Sequence, residues 1–363
     1  MVQQCVVITN PMIAANRSAE VTLSKFLRVI TPIYTDITVI GGNISLEGDL
    51  GHIQVCSMPI MRSSQKIRRA IDMFKLQFWM AKQVRKRALK DIPVYFWIGD
   101  KMILPFWVAK GRKADIRYFI YGNVLKEGHP SLFTKISAKL ITYMANHANS
   151  VCVESPEVIQ EWQGGICNRN IRQIHLYTQI GDCTAVEERE NTIGMLCRLT
   201  PGKHVVECIH AFAKVRKTYP EYSLEIIGSG RQEEECRNAI RSLNAENYIT
   251  MHGWIDHDQV YARTSKWKYL LFPSDTEGLP NSVLEMMGKG IPVIASAVGG
   301  IRDLVVDGQN GWLLDDNTVC GISESLLRAV QSLDYRIISA NALQTVKEEY
   351  VIDAAIKRAM INS

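Results

Sequence analysis

No stretch of the 363-residue chain reaches the roughly eighteen consecutive apolar residues that a membrane-spanning helix needs. Its opening decapeptide, MVQQCVVITN, has no basic segment ahead of the apolar run, so it reads as a first β-strand and not as a signal peptide. CxxC pairs are missing too. The nine cysteines (5, 56, 152, 167, 183, 197, 208, 236 and 320) are scattered and odd in number, which points to reduced thiols in a cytoplasm and argues against a disulfide framework or a thiolate metal centre. No RNA- or DNA-binding signature accompanies the basic residues, so nucleic acid is not an expected partner. What is present is apolar material for two cores: 47% hydrophobic residues, in a length that suits two domains better than one.

Charge is unevenly spread. Residues 1–178 carry 23 Lys and Arg against 12 Asp and Glu, a net +11, whereas the rest of the chain nets −6. Such polarisation favours an anionic partner for the first half. The cations are densest in KIRRAIDMFKLQFWMAKQVRKRALK (66–90), where they interleave with Phe74, Phe78, Trp79 and Met80. That composition fits a helix lying on an anionic membrane surface. It also fits a Rossmann helix whose apolar stripe faces a core while its basic face is solvated.

Strands and helices alternate along the chain. Apolar runs at Cys5–Thr9, Ile37–Ile40, Ile53–Met58, Pro93–Ile98, Arg117–Tyr121 and Ser150–Ser155 read as strands, with helices expected near 17–30, 102–110 and 131–148. Thr192–Leu196, Tyr222–Ile227, Tyr248–Met251 and a run ending at Phe272 begin a second series, which closes with helices near 318–333, 334–349 and 353–361. This alternation argues for an α/β protein with parallel sheets and right-handed crossovers. Polar residues and Gly181 break the periodicity over Thr178–Arg189, where a linker is expected.

The chemistry is concentrated in LLFPSDTEGLPNSVLEMMGKGIPVIASAVGGIRDLVVDGQN (270–310). After the strand that ends at Phe272, Glu277-Gly278-Leu279-Pro280-Asn281 turns the chain, and Ser282–Gly288 has the apolar spacing of a helix opened by Pro280. That helix starts at the carboxyl end of a strand, the edge at which open α/β sheets take ligands. Glu277 stands at the helix mouth and Glu285, eight residues on, about two turns down. The positive end of a helix suits a diphosphate, while carboxylates accept hydrogen bonds from sugar hydroxyls. A Glu pair at this spacing is by itself an ordinary loop residue and helix-face residue; the residues around it give it meaning.

From Ser274 to Leu314 the chain resembles the donor-binding core of the retaining glycosyltransferases of family 4 (group 1), which have the two-domain GT-B fold. The shared features are Glu277 and Glu285 with seven residues between them, Gly290-Ile291-Pro292-Val293-Ile294, and Gly299-Gly300. The resemblance implies that Arg198 and Lys203, in the turn Cys197–Lys203, hold the donor diphosphate, with His204 standing where the family has glycine. It implies that Gly228 and Gly230 let a helix start close to the nucleotide, that Trp254 and Ile255 hold the base by backbone atoms, and that Gly278, Leu279, Pro280 and Asn281 line the donor. Glu277 is then catalytic at the sugar and Glu285 binds the ribose. Two family features are absent. The Gly-Gly turn after the first strand is replaced by Pro11–Ser18, with Asn16 read as a helix cap, and the family's histidine by Tyr121-Gly122-Asn123, with His129 as a candidate substitute.

The implied architecture is α/β of GT-B type: two Rossmann-like domains with parallel sheets facing across a cleft. Residues 1–180 would form the acceptor side, 190–349 the nucleotide-sugar-binding domain, and 350–363 a terminal helix crossing back. The implied activity is metal-independent, cofactor-free hexosyl transfer from a UDP- or GDP-linked sugar to a saccharide or lipid-linked acceptor, in cell-surface glycan synthesis. The cysteine usage adds the expectation of a cytoplasmic enzyme, and the basic stretch 66–90 that of one peripheral to the inner membrane face. The two missing features leave a second reading open, a catalytically silent GT-B scaffold that binds a nucleotide sugar or a partner protein. A nucleotide-sugar epimerase of related fold accounts less well for Glu277 and Glu285.

Overall fold

Strands of a parallel sheet are covered on both faces, so they read as continuous apolar runs. A computed structural model describes the chain except residues 1–3, 13–17, 47–50, 62–64, 100, 127–129, 163, 182–188 and 363. Asn16 and His129 lie outside the described residues. The first sheet holds β1 (Gln4–Ile8), β2 (Asp36–Gly42), β3 (Ile53–Met58), β4 (Pro93–Phe96), β5 (Asp115–Ile120), β6 (Ser150–Val153) and β7 (Ile171–Gln173). Its order is β3-β2-β1-β4-β5-β6-β7, with every pairing parallel. The connecting helices are α1 (Ser18–Ile30), α2 (Lys66–Arg87), α3 (Ile103–Gly111), α4 (Leu132–His147) and α5 (Glu157–Glu161). The chain steps one way along the sheet from β1 to β3 and the other way from β3 to β7. Right-handed crossovers therefore place α1 on one face and α2, α3 and α4 on the opposite face. Aromatic rings fill the layer under α1: Phe26 stacks on Trp97 at 4.3 Å, and Phe119 meets both edge-on at 5.2 and 4.7 Å.

The second sheet is built from β8 (Thr192–Leu196), β9 (Ser223–Ile227), β10 (Ile249–Gly253), β11 (Tyr269–Phe272), β12 (Val293–Ser296) and β13 (Gly311–Leu314), in the parallel order β10-β9-β8-β11-β12-β13. Its helices are α6 (Val205–Arg216), α7 (Glu233–Ser242), α8 (His257–Thr264), α9 (Asn281–Met287), α10 (Ile301–Leu304), α11 (Val319–Gln331) and α12 (Tyr335–Glu349), followed by α13 (Ile352–Ile361). Successive strand residues serve opposite faces: Tyr269 and Leu271 join one buried cluster, Leu270 and Phe272 the other. Among the described residues no helix is long and apolar enough to cross a membrane.

The chain divides into two compact units, one of Met1–Tyr121, Pro130–Leu176 and Ala355–Ser363, the other of Gly122–His129 and Tyr177–Ala354. The short stretch after β5 thus belongs with the second sheet, and most of α13 with the first. The expected linker is fastened at both ends within the second unit. Thr178 is buried and its N–H donates to the Tyr350 carbonyl at 2.9 Å. The Arg189 guanidinium donates to the carbonyls of Gly290 (2.6 Å) and Lys289 (2.9 Å) and to the hydroxyls of Tyr335 (2.9 Å) and Ser339 (3.2 Å).

Candidate functional site

In the second sheet, the chain leaves β8 toward β9 on one side while β11 lies on the other. The crevice at the carboxyl ends of β8 and β11 is therefore the topological switch point, where open α/β sheets bind ligands. The loops after these two strands carry most of the residues expected from the sequence, and they are laced together. The Asp275 N–H donates to the Gly202 carbonyl at 3.0 Å, and Lys203 Nζ donates to Ser274 Oγ at 3.1 Å. The same ammonium forms an ion pair with the Glu277 carboxylate and lies 4.8 Å from the centre of the Phe272 ring. Only 12% of the Lys203 side chain and 14% of the Glu277 side chain remain exposed, so the pair is shielded from solvent screening. Arg198 is exposed at the end of β8.

His204 shows how a histidine occupies a turn where glycine would be usual. Its φ is 48°, in the left-handed region that costs a side-chain-bearing residue about 1 kcal/mol. Two carboxylates hold it there. Its Nδ1 is 4.0 Å from Glu207 and its Nε2 is 2.6 Å from Asp275, and together they raise the imidazole above its ordinary value against the opposing effect of burial. Glu207 is correspondingly held below the usual carboxylate range, chiefly by its bond to His204.

A raised histidine stabilises the fold fully below its unfolded value and loses that contribution as pH rises through the folded one; the lowered Glu207 loses its contribution as pH falls. His204→Asn keeps a residue that tolerates the left-handed backbone but removes the charge. The difference in unfolding free energy between wild type and this variant should be widest between about pH 5 and 6.5 and shrink on either side. Denaturant titrations giving the same difference at every pH would remove the charged clasp.

Glycines bring the loops into backbone contact. A Cβ on Gly228 (φ 137°) would lie 1.9 Å from the Cys197 carbonyl oxygen, and one on Gly230 would lie 2.2 Å from that of Leu199. Leu199 N–H donates to the Ser229 carbonyl at 3.0 Å across the same seam. Both glycines are thus required for packing the β9 loop on the β8 loop, a role independent of any nucleotide. Gly122 does the same from farther away in sequence. Its Cβ would lie 2.4 Å from Thr276 Oγ1 and 3.0 Å from the Glu277 backbone, so the segment after β5 rests on the Glu277 loop. Sequence reasoning noted Tyr121-Gly122-Asn123 only for its lack of a histidine; the glycine was the available signal.

Other expected residues contribute differently. Leu279 and Pro280 are buried, and the Pro280 carbonyl accepts from Val283 (3.1 Å) and Leu284 (3.2 Å) to start α9. The Leu279 side chain packs in the core cluster beneath the loop, and Pro280 is buried beside it. The Gly278 carbonyl is already engaged, accepting from Gly300 N–H at 2.7 Å. Asn281 opens α9, and Glu285 is half-buried in the same helix. Four residues on, Lys289 is buried and donates to the Tyr261 carbonyl (3.1 Å) and Thr264 Oγ1 (2.8 Å); burial brings its amine down to about 8, opposed by Glu285. Trp254 projects exposed beyond β10, while Ile255 packs against the cluster containing Phe272 and Leu279.

A polar relay missed from the sequence supports the Ser274 corner. Ser274 N–H donates to Ser296 Oγ (2.8 Å), Ser296 Oγ to Asn317 Oδ1 (2.6 Å), and Asn317 Nδ2 back to the Ser274 carbonyl (3.2 Å). Beside Arg198, burial pushes the Cys197 thiol up to about 12, which keeps it neutral and unsuited to nucleophilic attack. Among the described residues no group of three His, Cys, Asp or Glu side chains is placed to hold a metal ion. Asp256-His257-Asp258 has a D-x-D spacing, with Asp256 the N-cap of α8.

Residues 182–342, just under half of the chain, match the family model described as glycosyl transferases group 1. A stretch of 169 residues is 27% identical to the GtfA subunit of a UDP-N-acetylglucosamine–peptide N-acetylglucosaminyltransferase of Streptococcus pneumoniae, covering 42% of this chain and 33% of that protein. A putative colanic acid biosynthesis glycosyltransferase of Salmonella typhimurium is 30% identical over 137 residues, 36% of this chain and 34% of its own. The matched stretches thus span about a third of the length of these curated relatives. Among solved structures, HepE of Anabaena in complex with UDP and glucose has a TM-score of 0.75 at 15% identity, covering 98% of each chain. Sucrose-phosphate synthase of Thermosynechococcus elongatus has a TM-score of 0.76 at 15% identity, covering 99% of this chain and 98% of its own. The two parallel-sheet, Rossmann-like halves are those of GT-B glycosyltransferases.

Proposed function

We propose that the protein is a retaining, metal-independent glycosyltransferase that moves a hexosyl group from a UDP-linked sugar to a saccharide or lipid-linked acceptor in cell-surface polysaccharide synthesis. The observation that carries this reading is the Lys203–Glu277 pair at the switch point, which sets a cation for a departing diphosphate beside a carboxylate for sugar hydroxyls. As the bond from the anomeric carbon to the diphosphate oxygen breaks, negative charge grows on the leaving group, and Lys203 with Arg198 stabilises it. The acceptor hydroxyl enters on the same face, forms the new bond to the anomeric carbon and gives its proton to the departing diphosphate. Glu277 orients the sugar and Glu285 the ribose. Uridine is favoured as the base because HepE was solved with UDP and UDP-glucose. Polysaccharide as the product class is favoured by the colanic acid and poly(glycerol-phosphate) glucosyltransferase names among the relatives. A reducing compartment is favoured by the scattered, odd-numbered cysteines of the sequence.

Isothermal titration should show UDP binding to the wild type, weakened about tenfold or more in Glu285→Gln, as expected for a lost hydrogen bond to a charged group. Without acceptor, UDP-sugar should be released slowly as free sugar and UDP. Unchanged UDP affinity in the variant would reject the ribose role, and a UDP-sugar that binds but is never cleaved, even with membrane extract as acceptor, would favour the silent scaffold.

A further inference from the structure

The long basic helix α2 has two apolar stripes, and only one of them is used by the fold. At 100° per residue, Leu76, Met80 and Val84 form a fully buried stripe on the sheet side. Ile67, Ile71, Phe74 and Phe78 fall within a narrow arc on the opposite side and are between 49% and 78% exposed. The Phe74 and Phe78 rings are 6.0 Å apart, so the exposed stripe is continuous along the helix. Arg68, Lys75 and Lys82 border it. From Ile67 through Ile71 every side chain is exposed, so the first turns stand clear of the body of the unit.

The start of α4 adds to this surface. Gln77 Oε1 accepts from the Leu104 N–H at 3.2 Å, placing the middle of α2 at the start of α3. Just before α3, Lys101 Nζ lies 5.3 Å from the centre of the Phe133 ring at the start of α4, where Leu132, Phe133 and Ile136 are exposed with Lys135. α2, α3 and α4 lie on one face of the sheet, as the crossover hand requires.

We infer that the N-terminal half of α2, with the start of α4, is a wedge that seats the first unit on an anionic lipid bilayer. An apolar stripe bordered by cations matches acyl chains lying beneath anionic headgroups. The first turn of α2 has no acidic residue and no side-chain cap, so Arg68 and Arg69 oppose the positive end of the helix dipole in water, and lipid phosphates would relieve that opposition. The run Arg85-Lys86-Arg87, the most basic part of the sequence, is not the anchor. The last two turns of α2 expose no large apolar side chain, and Arg87 Nη1 donates to Gln83 at 2.8 Å. This inference rests on α2 and α4 and is independent of the transfer reading.

The test is flotation of the intact protein with vesicles of phosphatidylcholine alone or with phosphatidylglycerol. Binding should require phosphatidylglycerol, weaken with salt, and fall about tenfold or more in Phe74→Ser/Phe78→Ser and in Arg68→Glu/Arg69→Glu. Arg85→Glu/Lys86→Glu should lose less than either. UDP affinity should stay at the wild-type value in all three, so that a fold defect or a failed donor site is told apart from a failed anchor. Equal binding to both vesicle types, binding to neither, or binding undiminished by the Phe74/Phe78 variant overturns the inference. So does a wild-type dimer in sedimentation velocity that the Phe74/Phe78 variant abolishes, because a second copy would then cover the stripe.

Discussion

Lys203→Ala should lower turnover about a hundredfold or more while the protein stays folded. The ammonium is one of two cations at the mouth of the switch point, and on the proposed reaction its attraction for the donor diphosphate would grow as the leaving group takes up charge. Its loss should therefore fall on kcat more than on UDP affinity. Arg198→Ala should behave the same way with a smaller effect on the resting loop, since Arg198 is exposed whereas Lys203 ties Ser274 and Glu277 to the β8 turn. The tie makes Lys203→Ala ambiguous alone, because it also releases Glu277. Adding Glu277→Gln resolves this: if Lys203 acts only by holding Glu277, the double variant will be no slower than the slower single one. Turnover at the wild-type rate in both cation variants would rule out the diphosphate role.

How far the sequence reveals this molecule depends on the range of the interaction. The strands were legible because each is a short apolar run whose neighbours in the sheet have the same character, as in Tyr269–Phe272 and Val293–Ser296. Glu277 stood out by its spacing from Glu285, and Lys203 and Arg198 only through the family resemblance; the fold places Glu277 and Lys203 in contact. His204 was legible only as an oddity, because one of the two carboxylates that hold it, Asp275, is 71 residues away, and Glu207 three residues on does not by itself mark a clasp. The packing role of Gly122 was hidden for the same reason: its partner loop begins at Thr276, in what looked like another domain. Leu279 and Pro280 were placed at the donor by resemblance; the fold shows both buried at the start of α9. α2 is a different case. Its sequence holds both apolar stripes in plain view, and nothing in the spacing says which one the sheet covers.

Gly299→Ala should cost stability and activity together. Gly299 has φ 48°, and a Cβ there would lie 1.9 Å from the Glu277 carbonyl oxygen and 2.8 Å from its carbon, both backbone atoms that cannot rotate aside. Next to it, Gly300 N–H bonds the Gly278 carbonyl at 2.7 Å, so retreat of the turn would break that contact. The left-handed backbone and the overlap together should cost roughly 2–4 kcal/mol. For a unit of this size that is a fall in Tm of about 5–10 °C. Gly308→Ala is the control. Its φ is 71°, but nothing lies within 4 Å of where its Cβ would stand, so it bears the backbone cost alone. The difference between the two variants isolates the overlap with Glu277. Because the overlapped atoms carry that carboxylate, Gly299→Ala should also lower kcat where Gly308→Ala does not. Equal Tm and equal kcat in the two variants would show that the Gly299 turn does not position Glu277.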